Sequence, residues 1–256
     1  MIHIQQNITP MLGALRSVYS AVLPTGAWGG RAKDTPFVTI SRQAGAGGRS
    51  LAVALVEKLN QIDPGELPWT VWDNELVERV AGEHKLPASC VERLEEPQPS
   101  WLEEALGGLA LGDGGVHAPA EATVFRRVSM TIRALAQLGR VVIVGRGSAF
   151  VTADMTDGVH VRLVAPTEFR VRATADAQKT SAKEAAAWVA DRDRAREAFY
   201  RRHWPKRAVT AEQFTMTLNT AAMTLPQQVG AVLAALDAPV GERTAGPEES
   251  RKRGVS

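Results

Sequence analysis

Phe37-Val38-Thr39-Ile40-Ser41-Arg42-Gln43-Ala44-Gly45-Ala46-Gly47-Gly48-Arg49-Ser50-Leu51-Ala52 decides the architecture. Its first five residues form a short β-branched run. Leu51, Ala52, Ala54, Leu55 and Leu59 then recur at helical spacing. The segment therefore reads strand, glycine loop, helix. That order builds an anion site, because glycines let the backbone wrap closely, successive N–H groups point inward, and the helix N-terminus adds a favourable dipole. The strict phosphate-loop pattern is G-x-x-x-x-G-K-[ST], with the lysine on the β/γ-phosphates and the hydroxyl on Mg²⁺. Here Arg42 stands at the first-glycine position and Gly48 at the lysine position. Arg49 is then the substitute cation, and Ser50 supplies the hydroxyl for the metal. A tight turn with no ligand is the competing reading, and arginine's wider fork does not automatically reach the oxygen a lysine would.

Outward from this segment the chain alternates strands and helices. Val71-Trp72 is a second strand ending at Asp73, and Val141–Val144 is a continuous apolar run between Gly139 and Gly145. Val159–Ala165 is stopped by Pro166, and Phe214–Asn219 is the fifth strand. Helical periodicity covers Glu75–Gly107 (broken by Pro87, Pro97 and Pro99), Phe125–Leu138, Glu168–Tyr200 with a break near Gln178-Lys179-Thr180, and Pro226–Leu236. Such alternation predicts an α/β fold: a parallel sheet of about five strands with right-handed crossovers. Met11, Leu12, Leu15, Val18, Tyr19, Val22 and Leu23 mark an amphipathic N-terminal helix, which could dock on the main domain or pair two subunits. The expected organisation is a helical extension over 1–33, a main domain over 34–238 and a disordered tail over 239–256. Within the main domain a helical insertion spans about 75–130, including a glycine-rich loop from Gly107 to Pro119, and a lid spans about 178–205.

A net charge of +2 from 30 basic and 28 acidic residues gives no support to a nucleic-acid or membrane-surface role. The single cysteine, Cys90, excludes an intramolecular disulfide and a thiolate zinc site. No secretory leader or membrane-length apolar run is legible, so a cytoplasmic location is expected. His84, His117, His160 and His203 lack metal-type spacing.

The segments above, in their order from about Phe37 to Leu236, resemble the cytidylate kinase-like family of nucleoside monophosphate kinase relatives. The resemblance is carried by the Gly-Gly-Arg phosphate loop, Trp72-Asp73-Asn74-Glu75-Leu76, Val141-Val142-Ile143-Val144-Gly145-Arg146-Gly147, His160–Arg170, Asp191-Arg192-Asp193-Arg194-Ala195-Arg196 and Leu218-Asn219-Thr220. It implies a three-layer nucleoside-kinase-like fold with ATP and Mg²⁺ as cofactors and a nucleoside monophosphate, CMP or dCMP, as acceptor. Gly45, Ala46, Gly47, Gly48, Arg49 and Ser50 would cradle the donor, while Asp73 and Arg146 would face the acceptor. Arg192, Arg194 and Arg196 would close over the transferring group. The chain departs from typical cytidylate kinases at Gly147, where they carry aspartate.

The residues also have readings of their own. Ligands of open parallel sheets lie at the carboxyl ends of the strands, where Ser41, Asp73, Arg146 and Asn219 all stand. Asp73 reads both as a helix N-cap and as a site residue. Arg146, between two glycines after a buried strand, favours anion binding. Arg192, Arg194 and Arg196 compete with a solvated Asp–Arg helix face, and i, i+2 spacing lets at most two enter one site. Arg170 reads either as a nucleotide-stacking residue at the crevice rim or as a partner for the neighbourhood of Glu168. Trp188, Phe199, Tyr200 and Trp204 read as core or lid packing. Two functions follow: a nucleotide-dependent kinase, or a nucleotide- or phosphoester-binding module without efficient turnover.

Overall fold

Strand β1 (Phe37–Arg42) lies at the centre of a five-stranded parallel sheet of order β2-β3-β1-β4-β5. The other strands are β2 (Thr70–Trp72), β3 (Val141–Val144), β4 (Gly158–Val164) and β5 (Met216–Asn219). This is a computed structural model, and it describes residues 13, 35–73, 75, 77 and 120–237. The expected N-terminal helix, most of the stretch 75–119 with His84, Cys90 and His117, and the tail from 239 onward lie outside the described residues. The α/β class and all five expected strands are present, each within a residue or two of its expected ends.

The helices are α1 (Gly48–Ile62), α2 (Ala120–Leu138), α3 (Ser148–Val151), α4 (Thr167–Gln178), α5 (Ala182–His203) and α6 (Leu225–Leu236). Strand alternation sorts the core into two layers. Val142 and Val144 of β3 join Val38, Ile40, Val161 and Leu163 against α1 and α6. Val141 and Ile143 face the other way, onto Ile132 and Leu135 of α2, Phe150 of α3 and Trp204 beyond α5. Each fully buried side chain of this size contributes about 1.5–3 kcal/mol. The expected helix break falls at Lys179, which caps α4 at φ +57°, and Ser181 with Glu184 then forms a capping box that starts α5.

Two fixtures position the site. Gly145 N–H donates to Ile40 O at 3.1 Å, and Gln43 N–H donates to Leu163 O at 3.1 Å, so the ends of β3, β1 and β4 are level. Arg133 of α2 grips Asp154 with both terminal nitrogens (2.6 and 3.0 Å) and donates to Val151 O at 2.8 Å, fixing the end of α3, the short helix that follows Arg146. The chain passes from β3 on one side of β1 to β4 on the other. The glycine loop therefore stands at the sheet's topological switch point.

His203 closes the α5 side of the core, stacked on Phe125 at 3.7 Å between ring centroids. Burial, then the charges of Arg202 and Arg146, push its pKa down to about 4 from 6.5. The unfolded chain therefore takes up this proton first on acidification. The contribution is fully present above about pH 6.5 and is lost progressively as pH falls toward about 4. Thermal unfolding followed by circular dichroism should show Tm falling between about pH 7 and pH 4.5, with a shallower fall in His203→Phe. Equal slopes for the two proteins would contradict this origin.

Candidate active site

The loop between β1 and α1 is shaped by what it packs against. Gly45 has φ +75°, and a Cβ there would lie 2.6 Å from Arg170 O and 2.7 Å from Thr174 Oγ1. Glycine is thus required twice over, by conformation and by the approach of α4. Gly47, at φ +79°, is the N-cap of α1, and Leu51 N–H to Gly47 O (3.0 Å) is the first bond of that helix. The amides of Gly48, Arg49 and Ser50 thus belong to the helical turn whose donors have no intrahelical acceptor. Ala46 is buried, whereas Gly47, Arg49 and Ser50 are exposed.

Arg170 does not lie at the crevice rim where a nucleotide-stacking role would need it. It is buried beneath the loop, with Nε donating to Ala165 O (3.0 Å), Nη2 to Thr167 Oγ1 (3.2 Å), and Nη1 to both Ala44 O (3.0 Å) and Asp193 Oδ2 (2.6 Å). The reason is local: α4 begins right after β4, so a residue one turn into it meets the loop's underside. Asp193 completes the knot. Its Oδ1 accepts the Ala44 N–H at 2.7 Å and Arg196 Nη1 at 3.2 Å. One guanidinium and one carboxylate so tie the loop, α4 and α5 together.

Beside this knot a cleft of about 390 Å³ opens between the strand ends and α5. Five arginines line it: Arg42, Arg146, Arg162, Arg192 and Arg196, against two carboxylates, Asp193 and Glu197. Arg146 adopts φ +54° between Gly145 (+88°) and Gly147 (+66°). A non-glycine residue in this left-handed region costs about 1–2 kcal/mol, so the turn is held by its surroundings. Of the three arginines expected in a lid, Arg192 and Arg196 are one turn apart on α5 and line the cleft. Arg194 pairs with Asp191, and both side chains are largely exposed. Arg49 lies 3.8 Å from Asp73, with its side chain more than half exposed, and neither residue lines the cleft. Asp73 O accepts the Val77 N–H at 3.0 Å, which opens a helical turn there.

Several cleft residues escape motif reading. Arg162 alternates with His160 on the face of β4 opposite Val159, Val161 and Leu163, a signal present in the sequence. Its guanidinium lies 5.4 Å over the Phe214 ring. Tyr200 and Phe199 belong to an aromatic group with Phe150 and Trp204, as expected of packing residues, yet both also reach the cleft wall. Ser41 Oγ lies 3.5 Å from the Tyr200 hydroxyl. Arg42 holds the first-glycine position and is the cleft residue that pattern matching hides most completely.

Among solved structures, an uncharacterized protein from Eubacterium ventriosum superposes with a TM-score of 0.60 at 15% identity, over 80% of this chain and 99% of that one. A shikimate kinase from Bacteroides thetaiotaomicron aligns with a TM-score of 0.43 at 16% identity, over 79% of this chain and 99% of that one. At such identities a likeness speaks to fold alone. No curated protein matches the chain. Residues 37–222 match the cytidylate kinase-like family. That span runs from the first residue of β1 to just past β5 and takes in every strand and the whole cleft, so the chain belongs to the cytidylate kinase-like family.

Proposed function

We propose that the chain transfers the terminal phosphoryl group of ATP to a nucleoside monophosphate, with a CMP- or dCMP-like acceptor as the family suggests. The observation that carries this reading is the cleft itself: five guanidiniums gathered between the carboxyl side of a parallel sheet and α5, beside a glycine loop at the switch point. Phosphoryl transfer needs positioning, charge neutralisation and exclusion of water more than covalent help. In this reading Gly45 to Ser50 cradle the donor phosphates with backbone N–H groups. An acceptor phosphate oxygen attacks the terminal phosphorus of ATP. The bond to the bridging oxygen breaks, and its electron pair leaves with ADP. Arg146 orients the acceptor, while Arg192 and Arg196 spread the developing charge. Arg49 joins the donor side when its loose, solvent-screened contact with Asp73 opens. Asp73 is then released toward the acceptor.

The residues fit a metal carried by the nucleotide. The Ser50 hydroxyl is exposed in the first turn of α1, and among the described residues no group of three or more His, Cys, Asp or Glu could hold an ion by itself. Ser50 would contribute one ligand, with phosphate oxygens and water supplying the others. A Mg²⁺ held with the help of Ser50 would neutralise charge on the donor phosphates. A cytoplasmic enzyme working on nucleotides, without membrane or nucleic-acid partners, suits this chemistry. Among the described residues no helix is long and apolar enough to cross a membrane. Pairing of two copies through the N-terminal helix stays a proposal from sequence.

Gly147 bears on the acceptor. A Cβ there would lie 2.4 Å from Trp204 Cη2, so the ring fills the place of the aspartate that typical cytidylate kinases carry. A second reading, a binding module with little turnover, is favoured by one contact: the Asp193 carboxylate already occupies the Ala44 amide of the loop.

An ADP-release assay over a panel of nucleoside monophosphates should show turnover with at least one pyrimidine acceptor. Arg146→Gln should lower kcat/KM by about 10²-fold or more, the usual loss of one donor to transferring charge. Tight ATP binding with no ADP formed on any acceptor would sink the kinase reading. Gly147→Asp should cost about 2–4 kcal/mol in denaturant unfolding without improving use of CMP, because it adds strain and a clash with Trp204. A gain in CMP turnover at unchanged stability would contradict that account.

A further inference from the structure

We propose that Arg42 is the phosphate-binding cation of this site, supplied from the strand end in place of the lysine that Gly48 lacks. The departures from the strict phosphate-loop pattern at positions 42 and 48 are then one exchange, in which the first glycine became arginine and the lysine became glycine.

The steric record supports the exchange. A Cβ on Gly48 would lie 3.0 Å from Arg42 Cγ and 3.3 Å from its Cδ, so the arginine stem runs directly over the lysine position. A side chain at position 48 would press on that stem and require it to shift by a few tenths of an ångström. Beyond Gly48 the guanidinium ends against Gly145, where a Cβ would fall 2.0 Å from Nη1 and 3.0 Å from Cζ. Two glycines on different elements thus form the channel for one side chain. Gly145 is constrained a second time by its φ of +88°.

Charge completes the argument. Arg42 lines the cleft with Arg146 and Arg196, and among the described residues no carboxylate forms an ion pair with it. Burial first and the charge of Arg196 second press its pKa down to about 10, Tyr200 acts in the opposite sense, and Arg146 and Asp73 follow with smaller effects of opposite sign. It remains cationic at neutral pH. The Asp193 carboxylate, which also lines the cleft, is already shared by Arg170, Arg196 and the Ala44 amide. Arg42 meets the like charges of Arg196 and Arg146 with no carboxylate in ion-pair contact among the described residues, and a phosphoryl group beside it offsets that repulsion. Of the common anions, a tetrahedral dianion with several acceptor oxygens best satisfies forks arriving from three elements.

The inference takes its ligand class from the phosphoryl-transfer reading, but its test does not need turnover. Calorimetric titration with inorganic pyrophosphate compares wild type, Arg42→Gly, Arg42→Met, Gly48→Lys and the double variant R42G/G48K. Circular dichroism reports folding of each. Loss of one charge-assisted contact should weaken pyrophosphate binding about tenfold or more in Arg42→Gly and Arg42→Met. Arg42→Met keeps the stem over Gly48, so it decides the matter if Arg42→Gly folds poorly. Gly48→Lys alone should also weaken binding, because the added stem presses on that of Arg42, while the double variant should recover much of the loss. Wild-type affinity in Arg42→Met, a double variant no better than its weaker parent, or no binding by wild type would each overturn the proposal. The pattern in a chain that phosphorylates no nucleotide would keep Arg42's role and remove the kinase reading. Turnover unaffected by Arg42→Met would do the reverse.

Discussion

The Arg170–Asp193 pair, with the Ala44 peptide clasped between its two partners, is the contact on which the rest of the site depends. Arg170 spends its donors on Ala165 O, Ala44 O, Thr167 Oγ1 and Asp193, while Asp193 returns a bond to the Ala44 N–H. A buried guanidinium is costly unless its donors are satisfied and a counter-charge is at hand, and both conditions are met here. The consequence is geometric. The loop that follows β1 cannot move independently of α4 or α5, so the cleft between them has a defined width. Three elements far apart in sequence share one hinge point.

That arrangement also sorts the arginines. Arg170, whose donors are used up internally, and Arg133, whose terminal nitrogens hold Asp154 and Val151 O, are buried and act as struts. Those facing the cleft are less enclosed and poorer in carboxylates. Arg192 rests 5.5 Å over Trp188, Arg162 rests over Phe214, and Arg196 shares Asp193 with Arg170. Aromatic support orients a guanidinium without neutralising it, and so preserves charge for an anionic ligand. The same residue type thus builds the frame and the receptor, separated by burial and by what lies opposite.

The fold was legible in the chain because its signals are local. Val141–Val144, an apolar run between glycines, could hardly be anything but a strand covered on both faces, and the β-branched run before the glycine loop fixed the central strand. The break near Lys179 was visible as a lapse in apolar spacing. The site was harder. Gly145-Arg146-Gly147 stood out because an arginine between two glycines directly after a buried strand is hard to explain by packing, and Arg146 does line the cleft. The i, i+2 spacing allowed at most two of Arg192, Arg194 and Arg196 on one face, and Arg192 and Arg196 are the two that line it. Arg170 was misplaced, since nothing in sequence says that position 170 meets the underside of a loop more than a hundred residues earlier. Arg42 was overlooked for a related reason. Its direction depends on room left by Gly48 and Gly145, and such room is a property of packing.

In the proposed function, phosphoryl transfer takes place in the cleft between the glycine loop and α5. A crystal structure with a bisubstrate analogue, adenosine joined to cytidine through an oligophosphate chain, tests it most directly. The account expects the phosphate chain to run over Gly45–Ser50 and to enter the cleft among Arg42, Arg146 and Arg196, with the Arg170–Asp193 pair intact. An empty cleft under saturating ligand, or phosphates bound elsewhere on the chain, would contradict it.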